Sequence, residues 1–255
     1  MERSDLSFFR EWFNRYVAAY YGPNGDGARA IHLKEDHTAR TCREITLIGR
    51  SLELPGPDLL LAETAALFHD VGRFPQWQRY GTFNDRESED HALLGLAELS
   101  RSGVLNRIAA DDAEVVEKAI RHHNVRELPT HLAPRPLLFG KLVRDADKLD
   151  IWRLVIGDGR CRRRDGGMPP SYSREIMVHL REGRIPDLDL ALTRADMQLL
   201  RSAWVYDLNF AATCGEVLKR RYLGSLFEQL PDTAEMRELR DRLTSHLEQR
   251  VNGKD

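Results

Sequence analysis

Residues 59–74 read LLLAETAALFHDVGRF. An almost unbroken apolar run over residues 59–68 leads into the pair His69-Asp70. The length and composition of the run predict a buried helix over residues 59–70. His69 shares a helical face with the small apolar residues before it, so its side chain is expected to point inward. Asp70 then needs a partner, because a buried unpaired carboxylate is costly. A metal ion and a hydrogen-bonded core pair would both meet that need.

More histidines lie on the apolar faces of other predicted helices. They are His37, His91, His122 and His123. A single inward histidine is usually a satisfied core residue, but several in one half of a chain favour convergence on a common point. Neutral imidazole is the commonest protein ligand for transition metals, so the pattern indicates a metal site.

A metal site of this kind also calls for a carboxylate. Residues 144–150, RDADKLD, supply acidic side chains within an otherwise apolar helical segment. Asp145 shares a face with Leu142, whereas Asp147 shares one with Val143. Helical periodicity therefore leaves both aspartates as candidates.

Helical periodicity dominates the whole chain, so the sequence predicts an all-α fold. Residues 72–84, rich in Gly, Pro and aromatic residues, are expected to form a loop, and residues 192–228 one long helix. Residues 160–167, RCRRRDGG, are interpreted as a solvated basic loop, with a clamp over an anionic substrate as the alternative. We expect a helical core over residues 1–156 and a helical C-terminal extension over residues 157–255.

Composition narrows the class of protein. The chain has 255 residues, is 31% charged and carries a net charge of −2, so no basic field favours nucleic acid or anionic lipid. Its three cysteines form no C-x-x-C pair, which is typical of a reducing compartment. The first residues, MERSDLSFFREW, lack the apolar core of a signal peptide, and no stretch reaches the roughly 20 apolar residues of a membrane span. We expect a cytoplasmic protein without membrane or nucleic-acid partners.

The order of these residues resembles the H…HD…D signature of the HD-domain superfamily of metal-dependent phosphohydrolases. His37, the pair His69-Asp70 and the aspartate of "ADKL" occupy the signature positions, over roughly residues 28–156. The resemblance implies an HD-domain helical bundle and selects Asp147 over Asp145 as the ligand. It also implies one or two divalent ions such as Mn, Fe, Co, Ni or Mg.

The remaining histidines resemble the extra ligands of HD proteins that hold two metals. By that resemblance, one ion takes His37, His69, Asp70 and Asp147. The other takes Asp70, His91 and either His122 or His123, with Asp70 bridging both ions. The chain reads HHNVRELP after the histidine pair, without a GYP motif, and Leu33 is not an acid. These departures argue against a cyclic dinucleotide substrate and a third metal.

Two basic residues lie beside the signature. Arg73 occupies a position where many relatives carry lysine, and it is interpreted as a catalytic contact to a phosphate oxygen or as an ion-pair partner of a nearby acid. Lys148 is either a phosphate contact or a surface residue. No glycine-rich phosphate loop and no G-x-S-x-G nucleophile elbow occurs in the sequence.

Three functions remain open at this level. The first is a metal-dependent phosphohydrolase acting on a phosphomonoester, phosphodiester or nucleotide, with Asp70 anchoring the ions and orienting the attacking water. The second is a mixed-valent diiron oxygenase, because these enzymes resemble HD proteins and use four histidines and two aspartates. The third is a non-catalytic nucleotide-binding regulator that acts through residues 157–255.

Overall fold

The computed structural model describes residues 1–22, 27–157 and 171–253. Within these ranges the chain is helical and contains no strand, which confirms the all-α prediction. The basic run at residues 160–167 lies outside the described residues. No helix in the described ranges has both the length and the apolar character needed to cross a bilayer.

The chain separates into two compact units, Met1–Asp150 and Ile151–Asp255. The helices that begin in the first unit are α1 (Arg3–Ala18), α2 (Ala28–Ser51), α3 (Gly56–Phe68), α4 (Arg73–Tyr80), α5 (His91–Ser102), α6 (Ala110–His122) and α7 (Pro134–Gly157). Those of the second unit are α8 (Arg174–Arg181), α9 (Arg194–Ala203), α10 (Ala211–Lys219), α11 (Tyr222–Phe227) and α12 (Ala234–Val251).

Helix α3 is the centre of the first unit because it is apolar on nearly every side. It packs along α2 and also contacts α1 and α6. Phe68 at its end meets the ring of Phe9 edge to face, with ring centroids 5.4 Å apart. Burial of α3 fixes its C-terminal end, and His69 and Asp70 follow directly from that end.

The second unit has its own core around Trp152, which is fully buried. The indole Nε1 donates a hydrogen bond to the carbonyl of Arg201 at 3.0 Å, so the buried donor is satisfied. Asp196 caps α9 from within a capping box with Thr193 and also accepts the backbone N–H of Ser173 at 2.7 Å. These contacts tie the start of α8 to α9.

The predicted loop at residues 72–84 was wrong in part, because Arg73–Tyr80 forms α4. Pro75 lies in the first turn, where its missing N–H is not needed for the helical ladder. Gly81, with φ of 66°, ends the helix in the left-handed conformation. The Gly and Pro that suggested a loop therefore mark the two ends of a short helix.

The single long helix predicted over residues 192–228 was also wrong. The segment breaks at a 3₁₀ turn over Trp204–Asp207 and continues through extended backbone at Leu208 and Phe210. Arg221 then adopts a positive φ of 56° between α10 and α11. Val205 and Leu208 are both buried at the first break, where tertiary packing overrides local helix propensity.

Candidate metal centre

Six ionisable side chains converge in the first unit. They are His37 from α2, His69 and Asp70 directly after α3, His91 at the start of α5, His123 directly after α6, and Asp147 from α7. Within each overlapping group of three, the possible ligand atoms lie within 4.8 Å of one another. So many buried ionisable groups at one point require a compensating partner.

Four of these residues surround what we call the first cation position: His37, His69, Asp147 and Oδ2 of Asp70. The Nε2 atom of His37 lies 3.0 Å from Asp147 Oδ1 and 3.5 Å from Asp70 Oδ2. The Nε2 atom of His69 lies 3.7 Å from each of the same two oxygens. The two Nε2 atoms are 3.3 Å apart.

The second cation position is surrounded by His91, His123 and Oδ1 of Asp70. Asp70 Oδ1 lies 3.3 Å from Nε2 of His91 and 3.9 Å from Nε2 of His123. These two Nε2 atoms are 2.9 Å apart. Each carboxylate oxygen of Asp70 therefore faces a different pair of histidines, which is the arrangement of a bridging ligand.

The opposite ring nitrogen, Nδ1, faces an oxygen acceptor in all four histidines. His69 and His123 donate to the carbonyls of Ala66 and Ile120, each at 2.7 Å. The Nδ1 atoms of His37 and His91 lie 2.6 Å and 2.7 Å from carboxylate oxygens of Asp150 and Asp85. Because a carbonyl or carboxylate oxygen only accepts, each Nδ1 carries a proton, and in the neutral form of each ring Nε2 presents its lone pair to the centre.

This donor set fits a divalent transition metal. Nitrogen ligands about 2.0–2.1 Å from one ion lie about 2.9 Å apart at a right angle and about 3.4 Å apart at the tetrahedral angle. The Nε2 atoms of His91 and His123 are 2.9 Å apart, which agrees with the right angle. Those of His37 and His69 are 3.3 Å apart, which agrees with the tetrahedral angle. Imidazole and carboxylate ligands suit several divalent ions of the first transition row.

The protonation states also suit a metal site. Burial opposes ionisation of Asp70, but the neighbouring Lys34 and His69 outweigh it and hold the pKa of Asp70 well below its usual range. Burial, together with the adjacent His91, lowers the pKa of His123 to about 3. At neutral pH the carboxylate is therefore ionised and His123 is neutral, as metal ligands must be.

Two glycines bring the two cation positions together. A Cβ on Gly72 would lie 2.0 Å from the carbonyl oxygen of His91 and 2.5 Å from the backbone nitrogen of Gly95. The turn after Asp70 therefore packs backbone against backbone on α5. Only a residue without a side chain permits this approach.

The structure distinguishes two pairs of candidates that the sequence left open. His123 joins the cluster, whereas the half-exposed His122 lies in none of the metal-binding groups among the described residues. Asp147, not Asp145, faces His37 and His69.

Arg73 is engaged in ion pairing. Its NH1 group donates to Gln76 Oε1 at 2.9 Å, to the Phe83 carbonyl at 2.6 Å and to Asp85 Oδ1 at 2.7 Å. Its Nε lies 3.4 Å from Asp70 Oδ1. These are the contacts expected for the ion-pair interpretation, and a role at a phosphate oxygen stays a prediction.

Lys148, the other basic candidate, is buried next to Asp147 on α7. It is therefore not the surface residue that the alternative interpretation expected. A contact from Lys148 to phosphate stays a prediction.

Three residues near the centre were missed by the sequence interpretation. Lys34 hydrogen-bonds Asp70, Asp150 orients His37, and Asp85 orients His91. Lys34 and Asp150 lie three residues from His37 and Asp147, so helical spacing could have found them. Asp85 lies on the segment between α4 and α5, where no periodicity marks it.

Comparisons with known families agree with this geometry. A family model described as HD domain matches residues 35–152, which include all six converging side chains. No match was found among curated proteins or among solved structures. HD domains bind divalent metals, and most are metal-dependent hydrolases. Over residues 35–152, the chain therefore contains a domain of the HD-domain superfamily.

Proposed function

We propose that this protein is a metal-dependent phosphohydrolase with two ions, acting on a small phosphomonoester, phosphodiester or nucleotide. The observation that carries the proposal is that the two carboxylate oxygens of Asp70 face two separate pairs of histidines. A single structural ion would need only one of these pairs. Two adjacent positions bridged by one carboxylate are typical of sites that act on phosphoryl groups.

Each residue of the centre has a defined task in this proposal. His37, His69 and Asp147 would hold the first ion, His91 and His123 would hold the second, and Asp70 would contribute one oxygen to each. The bound ions would lower the pKa of water and neutralise a phosphoryl oxygen. Asp150 and Asp85 keep the Nδ1 protons of two rings directed away from the centre, which leaves Nε2 free to bind.

The test combines metal analysis with a substrate screen. Protein purified without chelator should contain a divalent transition metal. Reloaded with Mn, Co, Ni or Mg, it should release phosphate from one class among nucleotides, sugar phosphates and phosphodiesters. His69→Ala and Asp70→Ala should lose metal and activity, whereas His122→Ala, the neighbouring histidine outside the cluster, should keep both. Full metal content in His69→Ala and Asp70→Ala would refute the site.

A second candidate is an oxygenase of the mixed-valent diiron type. The observation that favours it is the donor count, four imidazoles and two carboxylates, which suits iron as well as other divalent metals. Oxygen uptake by iron-loaded protein, with an iron absorption band and no phosphate release under any metal, would favour this candidate. Phosphate release with redox-inactive Mg would favour the hydrolase.

A further inference from the structure

Lys34 lies directly at the centre without belonging to the predicted ligand set. It is on α2, one turn before His37, and its Nζ donates to Asp70 Oδ2 at 2.7 Å. The same ammonium lies 5.4 Å from the centroid of the Phe83 ring. Among the described residues, Lys34 thus places its amino group nearer than any other basic side chain to the carboxylate that faces both positions.

Lys34 occupies the oxygen that a metal would need. Oδ2 is the Asp70 oxygen that faces His37 and His69 across 3.5 Å and 3.7 Å. A divalent ion and an ammonium that both contact one oxygen would repel each other strongly in this buried setting. A divalent ion in the first cation position would therefore compete with Lys34 for Asp70 Oδ2 and weaken this contact.

The side chain of Lys34 also has room to move toward solvent. Its side chain and that of Asp147 are each 18% exposed, while the other side chains of the centre are at most 4% exposed. Lys34 and Asp147 therefore mark the side of the centre that opens to solvent. A lysine on a flexible four-carbon stem can move within such an opening, whereas NH1 of Arg73 is held by three acceptors.

We propose that Lys34 is a built-in counter-ion that leaves Asp70 when the first cation position is filled, and that its released ammonium then binds the anionic group of the substrate. The second half of this proposal rests on the proposed phosphohydrolase function. The exchange keeps the buried carboxylate paired with a cation, which is Lys34 before loading and the divalent ion afterwards.

The first test measures metal affinity. Lys34→Met removes the competitor for Asp70 Oδ2, so Mn²⁺ should bind about ten- to a hundredfold more tightly in a chelator competition assay. The metal-free variant should also melt at a lower temperature, since Asp70 has lost its nearest counter-ion. Lys118→Met, which removes a lysine paired with Glu114 on α6, is the matched control and should change neither value.

The second test measures binding of inorganic phosphate to Mn²⁺-loaded protein by calorimetry. Lys34→Met should bind phosphate at least about tenfold more weakly than the unmodified protein. Unchanged or weaker Mn²⁺ binding by Lys34→Met would overturn the counter-ion role, and unchanged phosphate binding would overturn the substrate contact. Neither readout requires turnover, so a protein that binds Mn²⁺ and hydrolyses no phosphate ester would contradict the proposed function alone.

Discussion

His91 and His123 direct their Nε2 atoms at each other across 2.9 Å, while Nδ1 of each ring faces an oxygen acceptor. When both rings are neutral and protonated at Nδ1, this arrangement brings lone pair against lone pair, and a cation between them would make it favourable. Asp70 Oδ1 completes the group at 3.3 Å from His91. The pair is therefore explained by metal binding better than by core packing.

This relationship predicts different outcomes for two neighbouring histidines. His123→Ala should lose about one of two bound ions in elemental analysis, because the second cation position keeps only His91 and one oxygen of Asp70. His122→Ala should keep both ions, since its side chain lies outside the cluster. Equal metal content in the two variants would contradict the second position while leaving the first intact.

The contact between Asp150 and His37 leads to a prediction about how strongly metal binding at the first position depends on the orientation of the His37 ring. Asp150→Asn weakens the acceptor of the His37 Nδ1 proton, so metal affinity should fall about 10- to 100-fold. Asp150 also accepts two hydrogen bonds from Arg40, at 2.5 Å and 3.1 Å. Asp36→Asn is the matched control, because Asp36 contacts the same Arg40 at 3.7 Å from an exposed position. A chelator competition assay checks both variants, and equal affinities would argue against orientation by Asp150.

Gly72 predicts a backbone effect. In Gly72→Ala the new methyl group would overlap the carbonyl of His91, so the turn or α5 must shift, at a cost of about 1–3 kcal/mol in the free energy of unfolding. Gly140→Ala, whose Cβ would meet only Leu128 at 3.6 Å, should be neutral or up to about 1 kcal/mol more stable. Urea denaturation of metal-free protein distinguishes the two, and equal stability would contradict the close approach.

Arg144 predicts the role of the segment that follows α6. Its buried guanidinium donates to the carbonyls of His123 at 3.3 Å and Arg126 at 3.1 Å, and also to Val125. Arg144→Lys keeps the charge but not the planar guanidinium group that donates to several carbonyls. The substitution should therefore weaken binding of the second ion more than binding of the first. A two-step metal titration checks this expectation.

Arg135→Lys is the control for that substitution, because Arg135 makes its ion pairs with Asp58 and Asp112 at the surface. Its titration should match that of the unmodified protein. Equal weakening of both ions in Arg144→Lys would indicate a general loss of packing and would contradict a specific role at the second position.

The fold class and most of the centre could be predicted from sequence because they depend on local periodicity. His37, His69 and Asp147 lie on apolar stripes of single helices or follow from the superfamily signature. His122 and His123 could not be separated, since both continue apolar stripes of the same helix. That choice depends on the hydrogen bond from Nδ1 of His123 to the carbonyl of Ile120, three residues earlier in the chain.

Other features depend on contacts between segments far apart in the sequence. Asp85 orients His91 from an irregular segment, where neither charge nor spacing distinguishes it from other surface acids. The helix Arg73–Tyr80 was missed because its boundary glycines and early proline are equally typical of loops. The break at Trp204–Asp207 was missed because no proline marks it.

The four imidazoles are held in place by two kinds of acceptor, and each cation position contains one ring of each kind. Each cation position has one histidine just past a helix end, His69 or His123, fixed by a carbonyl of the last helical turn. Each also has one histidine fixed by an acid, His37 or His91. Fraying of a helix end, or loss of one acid, would therefore remove a single anchor from a position and leave the other in place. Such redundancy would let the centre recapture its ions after local opening without refolding.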